Sequence, residues 1–250
     1  MKGSLLPSLQ ALGESLLELL FPRNCCGCGT RLAKDERFAC PSCMLRLSRE
    51  KDYDWRTNQR ILLWREHEAL QRVGAFTRYR RKGVTANFIH QLKYFRHYEL
   101  GTWMGRMAAK ELVDTGLFEG VEVLVPLPLT SRRQQWRGFN QAEEIAKGMA
   151  EVLGIAVRTD VLKRVVERTS QTHFTLEQRK THLGQVFSLD DPEALSGRHV
   201  MLVDDVMTTG ATMLAAIQAI EQTRDIKLSA FAWAWTPLSP SALATELKEA

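Results

Sequence analysis

The segment from His199 to Thr212 limits what this chain can fold into more than any other. It begins with an apolar run, His199-Val200-Met201-Leu202-Val203, and reaches two adjacent acids, Asp204 and Asp205. After Val206-Met207 comes a loop of small and hydroxyl residues, Thr208-Thr209-Gly210-Ala211-Thr212. A short β-branched apolar run is the pattern of a strand buried inside a parallel sheet, and the acids are expected to stop it. Ala211 to Glu221 then reads as a helix. Strand, glycine loop and helix in that order predict an α/β chain.

The same segment carries chemistry. In open α/β sheets ligands bind outside the carboxyl ends of the strands, which is where Asp204 and Asp205 stand. Ionised carboxylates only accept hydrogen bonds, so a pair of them suits the hydroxyls of a ribose. The Thr208–Thr212 loop opens a helix, where unsatisfied N–H groups and the positive dipole end favour phosphate. The dipole contributes only about 0.3–1 kcal/mol, so the N–H and hydroxyl groups must supply most of the hold. Capping a helix needs a single Asp or Thr. Two acids and three threonines around a glycine exceed that need. A P-loop is excluded, because no Gly-Lys-Ser/Thr ending follows.

All five cysteines lie between Cys25 and Cys43. Cys25-x2-Cys28 and Cys40-x2-Cys43 make two knuckles joined by a hairpin-sized segment, a ligand set for tetrahedral Zn²⁺. With four protein ligands the site is closed, hence structural. So short a segment cannot build a core, and bound metal would supply about 10–16 kcal/mol of folding energy. Cys26 is a spare thiol, since Cys26-x-Cys28 is too tight a bite.

The 250 residues suffice for one large domain and a small one. A net charge of +5 permits an anionic partner without demanding one. Leu5, Leu9, Leu12, Leu16 and Leu20 recur at helical spacing, with Glu14 and Glu18 between them. This predicts an amphipathic helix, too short and too charged to span a membrane, packed on the protein's own surface or on a membrane surface. No export signal is read here, so the expected compartment is cytoplasmic, with a peripheral position at the inner membrane face as the alternative.

From Ala69 to Tyr98 there is no acid. Arg80, Arg81, Lys82 and Lys93 alternate there with Phe76, Tyr79, Phe88, Tyr94, Phe95 and Tyr98, a composition suited to single-stranded DNA. The other reading is a strand at Val73–Tyr79 and a helix at Val84–Tyr94 whose aromatics are core. Val121 to Pro126 is expected to be the next buried strand, leading into a block where Arg132, Arg133 and Arg137 offer guanidinium forks to a pyrophosphate group. Asn140 is the expected cap of the following helix. Arg164 to Gln185 is polar and aperiodic, a loop or hairpin able to close over ligand through Arg168, Gln171 and Arg179. Lys227 to Trp235 is a last strand. The predicted organisation is helix 1–20, zinc ribbon 21–48, linker with a helix from Thr57 at 49–71, main domain 72–237, and tail 238–250.

The Asp204–Thr212 segment resembles the binding motif for 5-phosphoribosyl 1-diphosphate (PRPP) of type I phosphoribosyltransferases. That resemblance implies Asp204 and Asp205 on the ribose, Thr208 to Thr212 on the 5-phosphate, and Mg²⁺ bound with PRPP. With the cysteine pairs, Gln91-Leu92-Lys93-Tyr94 and Arg137-Gly138-Phe139-Asn140-Gln141, the whole is similar to the ComF (ComFC/GntX-like) family. It implies a type I phosphoribosyltransferase fold, a central parallel sheet flanked by helices, behind an N-terminal zinc ribbon. Natural competence and partners in DNA uptake are the implied setting. In the family loop Arg-x-Thr-x2-Gln is usual, and here Arg168, Thr169 and Gln171 sit closer together. Two functions stay open: Mg²⁺-dependent phosphoribosyl transfer to an unknown acceptor, or a non-catalytic module sensing PRPP or nucleotide and holding single-stranded DNA.

Overall fold

The computed structural model describes residues 22–51, 53–165 and 186–237. The cysteine knuckles come first, with the short helix α1 (Pro41–Arg46), followed by α2 (Gln59–Leu63), β1 (Leu70–Arg78), α3 (Val84–Tyr94) and α4 (Tyr98–Leu112). Then come β2 (Val123–Pro126), α5 (Ser131–Arg137), α6 (Gln141–Leu153) and β3 (Ala156–Val157). A ribbon of β4 (Leu162–Arg164) and β5 (Phe187–Leu189), paired antiparallel, brackets residues 166–185. The chain closes with β6 (His199–Met207), α7 (Ala211–Ile220) and β7 (Lys227–Trp235).

The main sheet has five strands in the order β1-β7-β6-β2-β3, and every pairing is parallel. Both faces are covered, so side chains of alternating direction are apolar on either side. Met201 and Val203 of β6 join a core with α4 and α6, while Val200 and Leu202 join one with α7. α4 and α6 pack backbone to backbone, because a Cβ on Gly105 would stand 2.0 Å from the Ile145 carbonyl oxygen, and one on Gly148 2.0 Å from that of Thr102.

From β2 the chain moves outward to β3, whereas from β6 it moves the opposite way to β7. The order therefore reverses between β2 and β6, which is where an open α/β sheet leaves a crevice at its carboxyl edge. The expectation that the acids end the strand is corrected: β6 runs through both to Met207. The cause is its neighbour β7, which stays paired through Asp204↔Ala232 and Met207↔Trp235, although pairing with β2 ends at Pro126↔Val203. The acids thus sit where one edge of the strand has lost its partner.

The segment 49–71, charged enough to be read as a linker, packs into the body: Trp55, Arg60 and Trp64 are all buried, and Trp55 Nε1 donates to Thr115 Oγ1 at 3.1 Å. Its helix is confined to Gln59–Leu63, capped by the Asn58 side chain. Among the described residues no helix is long and apolar enough to cross a membrane. The Leu5–Leu20 helix, the tail and the loop residues Arg168, Gln171 and Arg179 lie outside the described residues.

Candidate functional site

At the carboxyl end of β6, Asp205 is buried and its Oδ1 lies 3.2 Å from Lys93 Nζ. Asp204 is half-buried and its Oδ1 accepts the Asp205 N–H at 2.8 Å. Burial first, and the negative charge of Asp205 second, push the Asp204 carboxyl up to about 7, against the opposing pull of Lys93, the Asp205 N–H and Arg164. Composition groups Lys93 with the DNA-facing cations. In the fold it points from α3 to the acids, with 18% of its side chain exposed.

The loop follows directly. Gly210 takes φ +86° and caps α7 without a side chain, while Thr209 Oγ1 accepts the Ala211 N–H at 3.4 Å. Thr208 and Thr209 are exposed. Beneath the loop lies the Arg60 guanidinium, donating to the carbonyl oxygens of Thr209 at 2.7 Å, Thr208 at 2.5 Å and Thr236 at 3.0 Å. Trp64 packs against Gly210, where a Cβ would stand 2.5 Å from Cζ2 of the indole ring.

Arg132, Arg133 and Arg137 sit on α5, capped by Thr130, and not in an open loop. They line a cleft of about 840 Å³ together with Trp136 and Arg164. Arg137 Nη1 donates to Gln141 Oε1 at 2.7 Å. Arg164, on β4, lines this cleft, and its charge adds a small downward pull on the Asp204 carboxyl. Asn140 caps α6 as expected, accepting the Ala142 N–H at 3.1 Å. Arg80, Arg81 and Lys82 are exposed in the turn after β1, on the same carboxyl edge of the sheet. Arg81 shares a second cleft, about 410 Å³, with Tyr79, Lys93, Tyr94, Val206 and Thr208.

The acid-free stretch divides by burial. Phe76 and Phe88 are core, whereas Tyr94, Phe95 and Tyr98 are exposed, as is Trp136 of α5. The Tyr94 and Trp136 rings meet edge to face at 5.7 Å between centroids.

Cys25, Cys28, Cys40 and Cys43 bring their Sγ atoms within 4.8 Å of one another. The Cys28 and Cys40 sulfurs are 3.8 Å apart. Tetrahedral zinc with Zn–S bonds of about 2.3 Å requires sulfurs about 3.8 Å apart, so the residues fit the metal. Cys25 Sγ also accepts the N–H groups of Gly27 at 3.4 Å and Cys40 at 3.3 Å, as a metal-bound thiolate would. Cys26 stands outside the set, and burial pushes its thiol up to about 11. The knuckles dock on the main body through Phe38 against Trp103 and Asn87 Nδ2 donating to the Gly27 carbonyl at 2.7 Å.

Comparison with known proteins adds identity to this geometry. Residues 137–227, from the end of α5 to the start of β7, match the family described as Phosphoribosyl transferase domain. The chain is 33% identical over 135 residues to DNA utilization protein YhgH of Salmonella typhimurium, covering 53% of this chain and 59% of that protein. It is 30% identical over 129 residues to Competence protein F of Haemophilus influenzae, covering 50% and 56%. It is 31% identical over 112 residues to Competence protein ComFC of Bacillus subtilis, covering 44% and 42%. These matches support a resemblance to ComF-family proteins of phosphoribosyltransferase fold. The match to these curated relatives spans about half of their length.

Two side chains at the site carry no local signal in the sequence. Arg60 is 148 residues from the loop carbonyl it holds, in a segment whose composition suggests a linker. Arg164 opens the polar segment read as a loop. Lys93 is visible in the sequence as part of a basic run and of the Gln91-Leu92-Lys93-Tyr94 motif, but neither places it against the acids.

Proposed function

We propose that the crevice between β2 and β6 binds PRPP, or a nucleotide sharing its ribose 5-phosphate. The observation that carries this reading is the placement of the Asp204–Asp205 pair and the Gly210-capped loop on one strand–loop–helix unit at the point where strand order reverses. The acids accept the ribose hydroxyls. The N–H groups and hydroxyls of Thr208 to Thr212 hold the 5-phosphate. Arg132, Arg133, Arg137 and Arg164 face the diphosphate from the neighbouring cleft.

As an enzyme, the protein would transfer the phosphoribosyl group. The bond from C1 of the ribose to the diphosphate oxygen breaks, the acceptor bonds to C1, and the acceptor proton leaves to solvent or to pyrophosphate. The carboxylates orient the ribose and favour its oxocarbenium charge, and the arginines stabilise the leaving pyrophosphate. Lys93 already balances one charge of the acid pair. A Mg²⁺ bound with PRPP would be held on the protein side by Asp204, the acid that Lys93 does not pair, and would neutralise diphosphate charge. Isothermal titration with PRPP–Mg²⁺ should show saturable binding that Asp205→Asn abolishes. Turnover should appear as pyrophosphate release with an acceptor. Absence of both PRPP and AMP binding to the wild-type chain sinks the reading.

A second reading rests on the exposed aromatics. Tyr94, Phe95, Tyr98 and Trp136 are exposed, Trp136 shares a cleft with Arg132 and Arg133, and Tyr94 shares one with Arg81, a surface on which single-stranded DNA can stack its bases and place its phosphates. This reading makes the chain a cytoplasmic handler of incoming DNA in natural competence, working with the uptake machinery at the inner membrane face. Affinity for an oligonucleotide should fall steeply with salt, and Arg81→Ala or Lys82→Ala should flatten that slope. A flat response in the wild type counts against it.

A further inference from the structure

We infer that Arg60 is a positioning residue that aims the anion-binding N–H groups of the Thr208–Thr212 loop. The inference rests on the ribose 5-phosphate reading above and adds a residue that lies outside the matched domain, residues 137–227.

In a trans peptide the C=O and the N–H of the same unit point in opposite directions. The Thr208 carbonyl shares its peptide with the Thr209 N–H, and the Thr209 carbonyl shares its peptide with the Gly210 N–H. Arg60 binds both carbonyls, at 2.5 Å and 2.7 Å. It therefore turns both N–H groups away from itself, toward the open side of the loop. Its third bond, to the Thr236 carbonyl at 3.0 Å, ties the loop to the end of β7. Arg60 is buried, 2% exposed as a residue, which limits competition from water for these bonds. It also leaves a fixed positive charge behind a site meant for phosphate.

Gly210 follows from the same arrangement. A Cβ there would stand 2.9 Å from Arg60 Nη1, so the glycine makes room for the guanidinium as well as adopting φ +86°. Lysine cannot take over the role. Its ammonium is a single point, whereas the three carbonyls come from two separate segments and match the spread of a planar fork.

The test separates aiming from folding. Full-length wild type and Arg60→Lys are titrated with AMP and with adenosine. Wild type should bind AMP far more tightly than adenosine. Arg60→Lys should lose at least about tenfold in AMP affinity, about 1.4 kcal/mol, while adenosine affinity stays within about twofold. Methylguanidinium added to Arg60→Ala should restore part of the preference for AMP. Equal losses for both ligands mean that Arg60 only supports the fold, which overturns the inference. A wild type that binds AMP no better than adenosine removes the 5-phosphate reading, and the inference with it. Should both variants fail to fold, the wild type alone decides. AMP should slow hydrogen exchange at the Arg60 guanidinium beyond what adenosine does, and equal exchange overturns the inference.

Discussion

Lys93 Nζ lies 3.2 Å from Asp205 Oδ1, and the two side chains are 18% and 9% exposed. This pair joins α3 to the carboxyl end of β6 and sets a cation against a buried acid that neighbours a second one. Removing one partner of a buried pair costs about 3–5 kcal/mol, because the other charge is left uncompensated. Lys93→Met should therefore lower the urea midpoint markedly, toward the smaller end of that range because Lys93 is partly solvated. Lys93→Met combined with Asp205→Asn should recover much of the loss. A double variant no more stable than Lys93→Met would show that the pair is not the cause.

Asp204 sets a pH dependence. Its carboxyl is raised from the ordinary 3.8 to about 7, by burial and then by the charge of Asp205. Between those values the folded chain holds a proton that the unfolded chain has released. Stability from this group is thus complete at low pH and is lost as pH rises through about 7. Ligand binding should run the other way, since the deprotonated carboxylate is the better acceptor for ribose hydroxyls. PRPP affinity should rise across neutrality in wild type, and Asp204→Asn should remove both trends. A titration series from mildly acid to mildly alkaline pH in both proteins checks this.

The cysteine tetrad predicts about one zinc per chain by elemental analysis. Cys40→Ser should lose most of it, and Cys26→Ser should retain it. Strong chelators should detach the knuckles from α3 and α4, read as increased solvent exposure in the fluorescence of Trp103, which packs on Phe38. Full metal content in Cys40→Ser would exclude the assigned ligand set.

Gly210→Ala tests the loop. The backbone there has φ +86°, and the added methyl carbon meets Trp64 at 2.5 Å. Strain of this kind costs about 1–3 kcal/mol. The variant should melt lower and bind AMP more weakly, with Trp64→Leu partly relieving the clash. An unchanged melting temperature would mean that the loop accommodates a side chain.

Much of this architecture was legible in the chain. α3 and β7 fall on the expected bounds, Val84–Tyr94 and Lys227–Trp235, because periodicity and caps are encoded within a few residues. Asn140 is a cap in the sequence and in the fold for the same reason. The end of β6 was misjudged, since whether a strand continues past an acid depends on the neighbour that pairs with it, and β7 lies far along the chain.

The residues alone determined an α/β chain, a hydroxyl-rich loop opening a helix behind two acids, and a four-thiol metal site. Each of these is a local spacing. Only the tertiary structure decided that Lys93 would neutralise Asp205, that Arg60 would lie under the loop, and that Phe88 would be buried while Tyr94 on the same helix stays exposed. The physical reason is the parallel sheet. It brings the carboxyl ends of β1, β6 and β7 to one edge, so groups distant in the chain meet there through the order of the strands.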